Sequence, residues 1–154
     1  MYDITVCRGP NLGGLDASIA MLPRKGILAI AAVVDIALHA QERPVSAKTL
    51  AVRHGLPPRH LEPVLQALVR QGILRGIRGP GGGYELADEA RNITAEQILR
   101  AAETVDEPGA SPLQSNSALL AEVVLPAVAQ AEKALSDALI RVTVDDMLRP
   151  ARAK

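Results

Sequence analysis

The chain has no phenylalanine and no tryptophan, and its tyrosines are confined to Tyr2 and Tyr84. A core must therefore come from Leu, Ile, Val and Ala. Such a core suits helices packed in pairs but leaves little apolar reserve for an isolated monomer, which favours extra burial by self-association. Cys7 is the only cysteine, so an intrachain disulfide framework is excluded and an intracellular location is expected. No apolar run approaches the roughly 18 residues of a membrane span. The N-terminus lacks a basic start followed by an apolar stretch of export-signal length, so a soluble, cytoplasmic protein without a membrane partner is expected. The formal net charge is zero, which removes overall basicity as an argument for a polyanionic partner.

What is present is segregated. With 154 residues, 48% of them hydrophobic, the chain fits one domain plus an appendage and is not wholly disordered. From position 24 to position 84 there are nine Lys or Arg against Asp35, Glu42 and Glu62; from position 85 onward there are twelve acids against seven bases. The first half can face an anionic polymer and the second cannot easily do so.

Residues 1–22 carry the breakers Gly9-Pro10 and Gly13-Gly14 without sustained periodicity. Met21 could itself serve as an initiating residue, which leaves the physiological start open. Residues 27–40 have a helical pattern, with Ile27, Ile30, Ala31, Val34 and Leu38 expected to face inward. Ser46 suits an N-cap for a short helix containing Leu50 and Ala51, and Gly55 its end. Pro57 and Pro58 open another helix with Leu61, Val64, Leu65, Leu68 and Val69 on one face and Arg59, His60, Glu62, Gln66 and Arg70 on the other. Pro63 conflicts with that helix, because it cannot donate a backbone hydrogen bond and should bend it.

Directly afterwards comes Arg75-Gly76-Ile77-Arg78-Gly79-Pro80-Gly81-Gly82-Gly83-Tyr84. Its glycines permit positive φ and close backbone approach, so residues 73–78 and 83–86 are expected to pair as a hairpin. It is not a nucleotide loop, since no Lys-Ser or Lys-Thr follows and no strand-turn-helix surrounds it. Two apolar-faced helices joined at Gly55 and followed by a basic hairpin form a winged helix-turn-helix pattern. Thr94 and Gln97 are spaced as a capping box. A polar linker follows at 106–117. Residues 119–140 then carry a broad apolar stripe including Val123, with a bend expected at Pro126; residues 142–148 are expected to return as a short helix, and 150–154 to form a loose tail.

These residues resemble the BadM/Rrf-type winged-helix transcriptional regulator family. The likeness rests on Met21-Leu22-Pro23-Arg24-Lys25-Gly26, the Leu61-Glu62 pair and Arg78-Gly79-Pro80-Gly81-Gly82-Gly83-Tyr84, and it covers residues 21–102 before becoming architectural. It implies a mainly α fold with a small β-hairpin wing, a winged helix-turn-helix followed by a long C-terminal dimerisation helix. The corresponding division is an extension at 1–22, a DNA-binding domain at 23–90, a linking helix and loop at 91–118, dimerisation and return helices at 119–149, and a tail at 150–154.

The resemblance further implies a regulator, a repressor by expectation, that binds an inverted repeat in double-stranded DNA as a homodimer. DNA contacts are then expected from Arg24, Lys25, Ser46, Lys48, Arg59, His60, Arg78, Gly79, Gly81, Gly82, Gly83 and Tyr84. The dimer seam is expected at Leu120, Val124, Ala127, Ala131, Leu135 and Leu139. Pro57 and Pro63 depart from the family pattern and bear on the base contacts. Many relatives hold an iron-sulfur cluster through cysteines between the wing-following helix and the dimer helix, but residues 103–117 contain none. Because cluster ligation needs several soft donors, no cofactor and no metal are expected, and an unidentified small molecule or protein is the expected effector.

His39 and His54 read as helix-end residues and His60 lacks a metal signature. Asp145-Asp146 lack a base or phosphate cradle, so no catalytic residue and no enzymatic activity are expected. The competing reading is a protein-interaction adaptor whose winged scaffold binds no specific operator.

Overall fold

A computed structural model describes residues 24–105 and 117–153, excluding the side chains of Arg24 and Leu120. The extension at 1–22, Cys7 and most of the polar linker lie outside the described residues. In chain order the elements are α1 (Arg24–His39), α2 (Ala47–Arg53), α3 (Pro58–Arg70), β1 (Leu74–Ile77), β2 (Gly83–Leu86), a 3-10 turn (Ala90–Asn92), α4 (Ala95–Glu103), a π-helical turn (Leu120–Val124), α5 (Leu125–Leu139) and α6 (Val144–Arg152). This is the mainly helical, hairpin-bearing architecture expected, with a long C-terminal helix. No described helix is long and apolar enough to cross a membrane.

The centre of the molecule is α1, which packs against α3, α4, α6 and β2. Contact on so many sides corrects its expected facing. Ala29, Ala32, Val33, Ile36 and Ala37 are the buried positions, whereas Ile27, Ile30, Ala31, Val34 and Leu38 are half-buried on the opposite side. An almost uniformly apolar helix carries too little polar contrast for periodicity to fix its rotation. The alanines allow close approach, and Gly26 is tighter still: a Cβ there would collide with Leu99 of α4.

Local signals govern the helix starts. Ser46 Oγ accepts from Thr49 N at 3.1 Å and opens α2. Thr94 and Gln97 exchange hydrogen bonds of 3.0 and 3.3 Å across the start of α4. Thr143 and Asp146 do the same at α6, at 3.0 and 3.2 Å. Each box satisfies two backbone or side-chain donors at a helix end that would otherwise face solvent unpaired.

The chain after the linker differs from expectation in part. The helical run expected at 119–140 is present from 118 to 139, with a π-helical turn leading directly into α5 just before Pro126. The return helix begins at Val144 and runs through Pro150 to Arg152, so the expected loose tail is helical up to that point. Val144 and Leu148 enter the same core as α1. Backbone bonds from Ala95 N to Val142 O (2.8 Å) and from Val144 N to Ile93 O (2.9 Å) tie the starts of α4 and α6 together.

Candidate nucleic-acid interface

The site is built from α2, α3 and the hairpin. Helix α2 ends at His54, and Gly55 follows with φ of 62°, a left-handed conformation that side-chain-bearing residues rarely take. The chain thereby reverses and reaches Pro57-Pro58, where α3 starts without a side-chain cap. Leu61, Val64, Leu65, Ala67 and Leu68 bury one face of α3. Arg59, His60, Glu62, Gln66 and Arg70 are all exposed on the other. Arg59 Nε donates to His60 Nε2 at 3.4 Å, joining the two residues of the first turn. The positive end of the helix and a guanidinium therefore coincide on an exposed surface suited to anionic or acceptor-rich partners.

The hairpin is antiparallel, with Leu74 opposite Leu86 and Ile77 opposite Gly83; its strands fall within the expected segments. Gly79 and Gly81 have φ of 104° and 76° and make the reversal. Gly82 and Gly83 act by size: a Cβ on Gly82 would strike the Ile77 carbonyl, and one on Gly83 would lie 2.5 Å from the Val45 carbonyl carbon. That close approach lets Val45 and Tyr84 exchange backbone hydrogen bonds of 2.9 and 2.8 Å, which anchors the wing to the segment entering α2. Tyr84 is half-buried against the core. Arg75 is ion-paired with Glu85 across the strands, its Nε 2.8 Å from the carboxylate. Arg78 is exposed near the tip and takes part in no ion pair or side-chain hydrogen bond among the described residues.

The expected contact residues thus separate by placement. Arg59, His60, Lys48 and Arg78 present exposed cationic or polar heads. Ser46 caps α2, the four glycines shape the wing, and Tyr84 packs inward. Lys25 Nζ donates to the Val105 carbonyl at 2.7 Å, where its charge closes the C-terminal end of α4. Arg24 opens α1, and its side chain is outside the described set. Of the expected dimer residues, Val124, Ala127, Ala131 and Leu135 are exposed and Leu139 is half-buried; Leu120 lies in the π turn.

One cluster escaped the sequence reading. Asp35, 8% exposed, is the sole buried charged or polar residue among the described ones. Its Oδ1 meets Arg53 Nη1 of α2 at 2.5 Å and His39 Nδ1 at 2.9 Å. His54 Nε2 lies 3.1 Å from Oδ2 but off a hydrogen-bonding line, and it is buried without a hydrogen-bond partner. His39 and His54 are helix-end residues as expected, yet both turn toward this carboxylate. The signal was available: Asp35 is the lone charge in residues 26–41, and a carboxylate in such a helix needs a partner when buried.

Three comparisons bear on this geometry. The profile of the Rrf2 family, described as iron-dependent transcriptional regulators, matches residues 22–150. The HTH-type transcriptional regulator IscR of Photorhabdus laumondii is 41% identical over 86 residues, covering 55% of this chain and 52% of that protein. IscR of Photobacterium profundum is 37% identical over the same length, covering 55% and 50%. The chain spans about half the length of the curated relatives it matches. Among solved structures, T. potens IscR superposes with a TM-score of 0.65 at 31% identity, covering 84% of this chain and 87% of that one. CymR, the global cysteine regulator of B. subtilis, gives 0.60 at 26% identity, covering 82% and 94%.

The family description implies iron, and the donor set does not fit an iron-sulfur cluster. The sequence has one thiol, and residues 103–117 offer only oxygen and amide donors. Among the described residues no group of three or more His, Cys, Asp or Glu side chains is arranged to hold a metal ion. At Asp35 the Arg53 guanidinium already covers Oδ1.

Proposed function

This chain belongs to the Rrf2 family, and on that footing we propose that it is a DNA-binding transcriptional regulator acting as a homodimer without an iron-sulfur cluster. The observation that carries this reading is the exposed face of α3, where Arg59, His60, Glu62, Gln66 and Arg70 stand opposite a fully buried aliphatic face. A helix turned out in this way offers donors and acceptors to base edges in the major groove. Arg78, at a wing whose other arginine is already paired, meets a phosphate or the minor groove. The apolar residues of α5 dock on a second copy of the chain, so that two recognition helices address the halves of an inverted repeat. Regulation runs through a small molecule or a protein, and repression is the expected outcome of operator occupancy.

Selection of binding duplexes from a randomised pool tests the reading directly. An enriched inverted repeat is expected. Arg78→Ala should weaken binding to it and reduce the slope of log affinity against log salt by about 0.9, the value for one neutralised phosphate. A pool without enrichment would leave the adaptor reading in its place. Anaerobic purification should return neither stoichiometric iron nor sulfide; finding both, with cluster-dependent DNA affinity, would overturn the cluster-free part.

A further inference from the structure

Pro63 lies inside α3, where it interrupts the hydrogen-bond ladder of the helix held to read DNA. Its absent N–H leaves the Arg59 carbonyl without its helical donor, and its ring crowds that carbonyl. A proline in a helix interior is among the least favourable local choices. Neither core packing nor helix capping accounts for it, because Pro63 is exposed and lies well past the first turn.

Its angular position is informative. At about 100° per residue, Arg59, Gln66 and Arg70 fall within about 40° of one another; measured from Arg59, Pro63 lies about 40° to one side and Glu62 about 60° to the other. Leu61, Val64, Leu65 and Leu68 are centred on the opposite side and are buried. Pro63 is therefore the one apolar, donor-free surface inside a stripe of hydrogen-bonding side chains. In the major groove the apolar feature of a base edge is the C5 methyl of thymine.

We propose that Pro63 is a specificity-determining residue that packs its ring on the C5 methyl of a thymine in each half-site. The proposal rests on the DNA-binding reading above. Arg59 and Gln66, each about one turn from Pro63, would read bases on either side, so the thymine lies within the bases addressed by α3. Helix stability is given up at a position where an apolar contact to DNA is gained.

The test uses the full chain and the duplex enriched by selection. Each thymidine of a half-site is replaced in turn by deoxyuridine, which keeps every base-pairing group and removes only the methyl. Wild type should lose about threefold to fivefold affinity at one position, the loss for one buried methyl group. Pro63→Ser should bind the two duplexes equally there, whereas Pro63→Val, apolar but with its N–H restored, should keep the discrimination. Both variants should melt at a higher temperature than wild type, so loss of discrimination in Pro63→Ser cannot come from a weakened fold. Equal sensitivity of Pro63→Ser and wild type, loss of discrimination in Pro63→Val, or indifference to deoxyuridine at every position would overturn the proposal and leave DNA binding intact. A pool that enriches nothing would remove the DNA-binding reading itself, and this proposal with it.

Discussion

Helices α4 and α5 follow one another in the chain and are stabilised in opposite ways. Helix α4 opens on a reciprocal capping box and buries Ala95, Ile98, Leu99, Ala101 and Ala102. Helix α5 follows directly on a π-helical turn and buries none of its fifteen residues. Both are rich in apolar side chains, so composition does not separate them. The difference is where the partner surface lies: α4 finds it on α1, whereas Val128 (48% exposed) and Leu135 (40%) of α5, and Val123 (58%) of the preceding turn, remain open among the described residues.

The same division extends across the molecule. Helices α2 and α6, which hold the body together, begin with Ser46 and Thr143 caps. Helix α3 begins without a side-chain cap and carries Pro58 and Pro63, and α5 carries Pro126. Helix α3, whose exposed face is assigned to DNA, thus lacks this local device, as expected where function competes with foldability.

A carboxylate placed in each of α4 and α5 gives the strongest contrast. Ile98→Asp in α4 would bury an unpaired charge in a site with no exposure, at a cost of several kcal/mol, a large share of the roughly 5–15 kcal/mol available to a domain. It is expected to unfold the chain or leave it aggregated. Leu135→Asp in α5 should leave circular dichroism and melting of the body largely intact while shifting sedimentation from dimer to monomer. Unchanged association of Leu135→Asp, or wild type that sediments as a monomer at DNA-binding concentrations, would break the contrast and remove α5 as the seam.

A smaller effect is expected where α2 is held to α1. Arg53→Met removes the guanidinium from Asp35 and leaves a buried carboxylate facing two histidines, which should cost about 3 kcal/mol in denaturant unfolding. Adding Asp35→Asn should recover part of that loss, because the uncompensated charge goes with it. A double variant whose loss equals the sum of the two single losses would show that the groups do not interact energetically.

The features legible in the sequence are those set by near neighbours. The caps at Ser46 and Thr94, the turn at Gly55 and the glycine wing each depend on residues within a few positions, where side-chain chemistry and φ preference decide the outcome. The exposed face of α3 was legible because polar and apolar residues alternate there with sharp contrast. What escaped depends on distant segments. The facing of α1 is settled by four elements packed around it, the Asp35–Arg53 pair joins residues eighteen apart, and α6 enters the core through backbone bonds to residues fifty positions earlier. Sequence order carries no direct record of such meetings, and Pro150 inside α6 argued locally against the helix that tertiary packing extends.

The start of α6 supplies the smallest expected effect and connects the capped half of the molecule to pH. Backbone and hydroxyl hydrogen bonds from Thr143, in that order, hold the Asp146 carboxyl below the usual aspartate range, with a lesser contribution from Arg149. The folded state therefore prefers the ionised carboxylate more than the unfolded chain does. The resulting stabilisation is present above the unfolded value of about 3.9 and is lost as pH falls through the lower folded value. Asp146→Asn keeps an acceptor near Thr143 but cannot titrate. Urea midpoints should consequently place wild type above the variant near neutrality, with the gap closing as the pH drops below about 4. Asp88, lowered chiefly by Asn92 and then by the Glu89 amide, titrates in both proteins and cancels from the difference. A gap that stays constant down to the acid limit would mean that the α6 cap works through hydrogen-bond geometry alone, without a charge preference.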